Sequence, residues 1–382
     1  MSAATLRPDD IIKRSHAIGT YYGFLPLASL AHVKRGVAAK NPYPDSINLD
    51  SLDPAAREVA AILKHVRDAG LEPSPAQPLF LWHTNAAAGR TSPKQIILQF
   101  HVLGVEHAIA DAVLVRAVRS LIADLSKNAP VLRLNSMGDR ETRSRFAREL
   151  TSFFRKQGAL LPVDCVNSAK RGDVFEAAEL LAMSPDADEL PSPTDHLSES
   201  SRKHFEGLLE YLESTDTSYE LAPELLSRGA TWAETCFEIR SDNGIHAWGS
   251  RYNEFARPFF KTAIPSVGAV IRIDTETREP ITPVKKKGAP RFVFVHIGDE
   301  AKRECMKMAD DLRRARIPLT QAIGVASLTE QMRFVETLNP PYLLIMGRKE
   351  ALERNVILRE RATHTETFIP LDHLIDMLKQ VD

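Results

Sequence analysis

Apolar positions in the last quarter of the chain switch repeatedly between a period of two and a period near 3.6. Arg291–Ile297 is a β-branched and aromatic run closed by Gly298 and by Asp299, a favourable N-cap. Ala301, Cys305, Met308, Leu312 and Ala315 recur at spacings of four and three, which predicts one apolar stripe on a helix ending near Arg316. Ile317–Ile323 reads as the next strand. Ser327 and Glu330 have the spacing of a capping box, ahead of a stripe through Leu328, Met332 and Val335. Tyr342–Met346 is a continuous apolar run ending at Gly347, the pattern of a strand buried on both faces. Val356–Leu358 and Thr365–Ile369 predict a closing pair of strands, and Pro370 suits the first turn of a final helix through Leu371, Leu374, Ile375 and Leu378. Pro290–Asp382 is therefore expected to form a compact α/β module.

Upstream, Asp9–Tyr22 reads as an amphipathic helix, and Val59, Ile62, Leu63 and Val66 share one face of a helix within Leu49–Arg67. Leu79–Trp82 and Gln95–Val105 predict strands separated by a small-residue loop at His83–Lys94. A long helical stripe follows through Leu114, Val118, Leu121 and Leu125. Leu132–Met137 predicts a strand, and Asn135-Ser-Met-Gly-Asp139 a cap for a helix through Phe146, Leu150 and Phe154. Arg140, Arg143, Arg145, Arg148 and Arg155 on that helix read first as a solvated face. Pro162–Ala182 is helical in part, and the Ser-, Pro- and Asp-rich Met183–Ser200 opens a helix from Ser200 through Leu212. Thr275–Ala289, with Pro280, Pro283 and Lys285-Lys286-Lys287, reads as a hinge on which the C-terminal module swings.

Composition narrows the partners. A chain of 382 residues is long enough for two or three domains, and a net charge of −1 means that nucleic acid would have to be held by a local patch. Cys165, Cys236 and Cys305 lie far apart and are odd in number, which argues against a disulfide framework or a clustered zinc site and suits a reducing cytoplasm. Met1–Thr20 lacks a signal-peptide apolar core, and no stretch approaches the roughly twenty apolar residues of a membrane span.

Several runs carry a resemblance. Gly298-Asp-Glu-Ala, Ala309-Asp-Asp-Leu-Arg-Arg-Ala, Ser327-Leu-x-x-Gln331-Met-x-Phe and Tyr342-Leu-Leu-Ile-Met-Gly-Arg-Lys-Glu350 resemble the anticodon-binding domain of the histidyl, glycyl, threonyl and prolyl class II aminoacyl-tRNA synthetases, with order and spacing most similar to the histidyl enzyme. Gln99-Phe-His-Val-Leu-Gly-Val-Glu106 resembles the second strand of that family's motif 2. Asn135–Asp139, Gly249-Ser-Arg-Tyr-Asn253 and Pro265-Ser-Val-Gly268 resemble further family segments. The resemblance implies an α/β (α+β) chain: a class II synthetase-like antiparallel sheet flanked by helices over 1–274, a linker at 275–289, and over 290–382 a smaller α/β anticodon-binding domain with a mixed five-stranded sheet.

The same alignment locates departures wherever the family's chemistry needs a particular side chain. Asp53-Pro-Ala-Ala-Arg57 stands for Arg-Pro-Glu-Gly-Thr, and Ala88 for the motif 2 arginine that stabilises the α-phosphate. Ser227, Ala230, Thr231 and Trp232 stand for the arginine and Asp-Tyr-Tyr of the histidine pocket, and Thr275 for the motif 3 arginine. Leu30 replaces the proline of the dimer-forming motif 1. Losing an arginine that meets developing charge costs on the order of several kcal/mol of transition-state stabilisation. The resemblance thus implies a scaffold kept without its reaction: no catalytic residues, no metal and no cofactor, with ATP and Mg expected only if a histidine–tRNA ligase survives with a rearranged site. Arg90, Glu106, Arg228, Arg251, Tyr252 and Arg272 are the candidates for a remodelled pocket. Ser327, Thr329, Gln331, Arg333, Arg348 and Lys349, together with Lys285, Lys286 and Lys287, are the candidates for contact with tRNA or another structured RNA. A cytoplasmic homodimer joined through its N-terminal domain, without membrane or DNA, is expected. A regulatory subunit similar to the synthetase-like partner of ATP phosphoribosyltransferase is the other alternative.

Overall fold

In a computed structural model the described residues are 8–30, 43–85, 95–158, 160–226, 232–260, 262–274, 290–322, 324–325 and 327–381. Helix α1 (Pro8–Tyr22) leads into β1 (Leu25–Pro26), and α2 (Pro54–Asp68) precedes β2 (Leu79–Thr84) and β3 (Gln95–Leu103). Next come α3 (Ile109–Leu125), β4 (Val131–Ser136) and the helices α4 (Arg140–Gln157), α5 (Val163–Lys170), α6 (Val174–Ala182) and α7 (Glu199–Ser214). β5 (Glu220–Leu221), β6 (Ala233–Arg240), β7 (His246–Arg251), α8 (Asn253–Ala256) and β8 (Ser266–Asp274) complete the first unit. Its eight strands run in the order β1-β2-β3-β8-β7-β6-β4-β5. The six central strands are antiparallel, as expected, whereas the short edge strands β1 and β5 pair in parallel and make the sheet mixed.

Strict alternation gives this sheet one apolar face. Ile96, Leu98, Phe100 and Val102 on β3 and Val267, Ala269, Ile271 and Ile273 on β8 all turn into one core. Helix α3 lies on that face and packs outward on α1 and α7, so it is buried almost all round. Asp53, aligned with the arginine of the family's substrate-holding segment, here caps a helix: its Oδ1 accepts from the amides of Ala55 (2.8 Å) and Ala56 (3.0 Å), with Pro54 at the first turn of α2. Asp139 does the same for α4, accepting from Thr142 N at 2.9 Å.

The second unit contains β9 (Phe292–His296), α9 (Asp299–Arg314), β10 (Leu319–Gln321), α10 (Leu328–Leu338), β11 (Tyr342–Met346), α11 (Arg348–Leu352), β12 (Asn355–Glu360), β13 (Glu366–Pro370) and α12 (Leu374–Val381). Its sheet is mixed and five-stranded, in the order β10-β9-β11-β12-β13. Three local expectations shift. Gly298, at φ +91°, is the N-cap of α9, with Asp299 one place inside. The second strand shrinks to Leu319–Gln321. A 3₁₀ turn at Leu371–His373 delays the last helix to Leu374.

The expected swinging module is also corrected. The linker 275–289 is outside the described residues, but on the other side of it the two units share one apolar cluster. Tyr21 and Tyr22 from α1 reach across: Tyr21 OH donates to Ile317 O (2.6 Å), and Tyr22 OH to Asp310 Oδ1 (2.5 Å). Arg116 on α3 donates to Asp310 Oδ2 at 2.7 Å, and Arg313 to Asp124 at 2.9 Å. Gly23 permits the close approach, since a Cβ there would lie 2.5 Å from Gln321 O.

Candidate functional site

The face of the large sheet opposite α3 mixes polar and charged side chains with a few large apolar ones, unlike the wholly apolar core face. Cross-strand register places His83, Gln99 and His101 beside Val270 and Arg272, then His246 and Trp248, then Glu238 and Arg240, and finally Arg133 on β4. These side chains form two networks. In the first, Gln99 Nε2 donates to Glu58 Oε2 (2.9 Å), His101 Nε2 meets Gln99 Oε1 (3.1 Å), and His101 Nδ1 meets the Tyr252 hydroxyl (2.7 Å). Burial, with a smaller contribution from His83, pushes His101 down to about 3, so the imidazole is neutral.

In the second network Glu238 accepts from Arg133 Nη1 (3.0 Å) and Arg240 Nη2 (2.8 Å) and meets His246 Nε2 (2.7 Å), while Arg133 also pairs with Glu224. Burial acts to raise Glu238, but the hydrogen bonds from His246, Arg240 and Arg133 overcome it and bring the carboxyl down to about 2. The second network borders a cavity of about 330 Å³, walled also by Trp232, Trp248, Val270 and Arg272. The Trp232 and Trp248 rings meet edge to face at 4.7 Å.

Among the described residues, the charge lining this cavity leans toward acid. Asp53, Glu179, Glu224 and Glu238 line it, against Arg133, Arg240, Arg272 and a histidine. Arg133 and Arg240 are already spent on carboxylates. Arg272 is exposed on β8, faces the cavity and has no ion-pair or hydrogen-bond partner among the described residues. Among the described lining residues, a polyphosphate entering here meets one guanidinium that is not already paired with a carboxylate.

Of the expected pocket residues, Arg272 alone among the described ones lines the cavity. Arg251 is corrected to the opposite face: at its position on β7 the side chain turns toward α3, fully buried, where Asp111 accepts from Nε (3.1 and 3.0 Å) and Nη2 (2.6 Å). Nη1 donates to Val105 O (3.2 Å) and Nη2 also to His107 O (3.1 Å). Tyr252 is buried and positions His101 rather than facing the open cavity. Glu106 is exposed in the turn between β3 and α3 and does not line the cavity. Arg90 and Arg228 lie outside the described residues, as do Ala88, Thr275 and the stretch 227–231. Sequence reasoning missed Arg133, Glu238, His246 and Trp248. Their signal was available as polar or aromatic residues at alternate positions of otherwise apolar strands.

On the C-terminal unit, Ser327 is the N-cap of α10, but the expected capping box does not form, because Glu330 pairs with Arg333 (3.1 Å). Half of that device appears at α11, where Glu350 accepts from Gly347 N at 2.9 Å. Gln331 is corrected from a surface contact to a fully buried clamp: it accepts from His296 N (3.0 Å) and donates to His296 O (2.9 Å) and Val325 O (3.1 Å). Thr329 and Arg333 are exposed beside it. Arg348 pairs with Glu300 (3.1 Å) and Lys349 with Glu353 (3.9 Å), all partly or largely exposed. Lys285, Lys286 and Lys287 lie outside the described residues. Among the described residues no helix is long and apolar enough to cross a membrane, and no group of three or more His, Cys, Asp or Glu is arranged to hold a metal.

Residues 281–381 match the family described as an anticodon binding domain. The chain is 24% identical over 335 residues to a histidine–tRNA ligase of Corynebacterium jeikeium, covering 84% of this chain and 74% of that one. It is 27% identical over 291 residues to the histidine–tRNA ligase of Caldanaerobacter subterraneus, covering 73% and 69%. The crystal structure of apo histidyl-tRNA synthetase from S. aureus shares the fold with a TM-score of 0.50, at 19% identity, over 97% of this chain and 94% of that one. The architecture is thus a class II synthetase-like sheet followed by an anticodon-binding module. The chain is similar to histidine–tRNA ligases over most of its length and carries an anticodon binding domain over 281–381.

Proposed function

We propose that this protein binds tRNA or another structured RNA through a body that no longer activates an amino acid. The reading rests on a contrast: the anticodon-binding module is present over 281–381, while among the described residues the cavity of the large sheet is lined by more acids than arginines and two of those three arginines are tied to carboxylates. Amino-acid activation concentrates negative charge on the α-phosphate and needs cations already aimed at it, because positioned charges in a water-poor site act without reorganising. The protein is read as a cytoplasmic homodimer that needs neither metal nor cofactor.

The rival is an ATP- and magnesium-dependent histidine–tRNA ligase, favoured by Arg272, which faces the cavity with no ion-pair or hydrogen-bond partner among the described residues. Histidine-dependent pyrophosphate exchange separates the two: the proposed reading expects none above background, and robust exchange would refute the loss of activity. Filter binding of total tRNA at two salt concentrations tests the RNA half, which expects binding that weakens with salt. Absence of binding at low salt sinks that half.

A further inference from the structure

We propose that the exposed side of α4 is a phosphate-binding arginine ladder, and that this helix, rather than the C-terminal module, supplies the main electrostatic grip on RNA. The inference rests on the RNA-binding reading above and deepens it by naming a surface.

Helix α4 has eighteen residues, roughly 27 Å at 1.5 Å per residue. One side is anchored in a separate apolar cluster by Phe146, Leu150, Phe153 and Phe154, so the other side is presented rigidly. Arg140, Arg148 and Arg155 are exposed there, and none has an ion-pair or hydrogen-bond partner among the described residues. At about 100° per residue, Arg148 and Arg155 project within about 20° of each other, with Arg140 about 60–80° to one side. Their spacing along the axis is about 10–12 Å. The remaining arginines of the helix are committed. Arg145 pairs with Glu141, and Arg143 turns inward, donating to Trp232 O at 3.2 Å and covering the Phe175 ring at 4.7 Å. Glu149 projects about 100° away from Arg148.

The occupant follows from charge and from what lies between the arginines. Ser144 and Thr151 separate them, small residues whose hydroxyls donate to the backbone carbonyls of Arg140 and Ala147 and leave the guanidinium groups unobstructed. A helix that lies on a lipid surface needs its apolar face turned outward with its cations, whereas here the apolar face is buried. An arginine row on a helix with no large apolar side chain of its own exposed suits the backbone of a nucleic acid, to which guanidinium groups donate paired hydrogen bonds. The C-terminal module offers less: over 290–382 arginine plus lysine equals aspartate plus glutamate, and Arg333, Arg348 and Lys349 all have acidic partners.

The test is filter binding of the full-length chain to total tRNA across a salt series, comparing wild type with R140Q/R148Q/R155Q, R140K/R148K/R155K and R333Q/R348Q/K349Q. Each phosphate contact contributes about 0.7–0.9 to the slope of log K against log salt. The glutamine triple on α4 is expected to lower the slope by about 2–3, the lysine triple to keep it, and the C-terminal triple to lower it by less than about 1. A wild-type slope in the glutamine triple, or one lost equally in the lysine triple, overturns the ladder while RNA binding itself stands. If the wild-type chain does not bind, the ladder and the RNA-binding reading fall together.

Discussion

Replacing His101 by glutamine should flatten the pH dependence of stability. In the folded chain the imidazole is buried between Gln99 and Tyr252, and burial pushes it down to about 3, against an ordinary value of about 6.5. Between those two values the unfolded chain binds a proton that the folded chain does not, so stability falls as pH falls. The two values place the contribution of this one group at about 2 kcal/mol of stability lost between pH 8 and pH 5. Glu238 is depressed to about 2, so its own contribution is lost only at lower pH, as a carboxylate of ordinary pKa would begin to protonate. His83 is also lowered, chiefly by burial with partial opposition from Glu58, but it remains in both proteins and largely cancels in the difference. Urea unfolding of wild type and H101Q at pH 8, 7, 6 and 5 reads the effect. H101Q should start less stable, having lost the tyrosine contact, yet fall by about 2 kcal/mol less than wild type across the series. Parallel curves for the two proteins would show that the imidazole does not resist protonation and would refute the buried network.

Two further substitutions probe the joint and the clamp. Asp310→Ala leaves Tyr22 and Arg116 buried without their shared carboxylate, so it should cost about 3–5 kcal/mol and split the calorimetric transition into two, whereas a single transition at the wild-type temperature would count against a coupled joint. Gln331→Ala removes three hydrogen bonds from a fully buried amide and should destabilise the chain by about 2–3 kcal/mol in urea while leaving the RNA salt slope unchanged; a changed slope would return Gln331 to the binding surface.

The C-terminal unit was the most legible part of the sequence because each of its elements has one dominant period. The run Tyr342–Met346 is a strand with those bounds, and the stripe through Met332 and Val335 falls on α10. What escaped were polar residues with buried duties. Gln331, in the first turn of a helix, looks like a surface residue until β9 is placed beside it. Arg251 shares a motif with the pocket, but its face depends on strand register with β8 and on the position of Asp111, which is 140 residues away. The cavity lining was hidden for a similar reason: Arg133, Glu238 and His246 are each ordinary in their own strand and become a site only where three strands align.

The joint between the units has a mechanical consequence. The apolar cluster runs unbroken from Phe100, Val113 and Leu121, through Tyr21 and Tyr22, to Phe292, Cys305 and Met346. The two units are therefore held like the fixed jaws of a caliper, and an RNA bound as proposed, touching both α4 and the C-terminal module, would be gauged by the distance between its own contact points. On the proposed RNA-binding reading, a molecule that fits one surface but has the wrong span loses the contribution of the other, so length and bend of the partner would be selected without a single base being read.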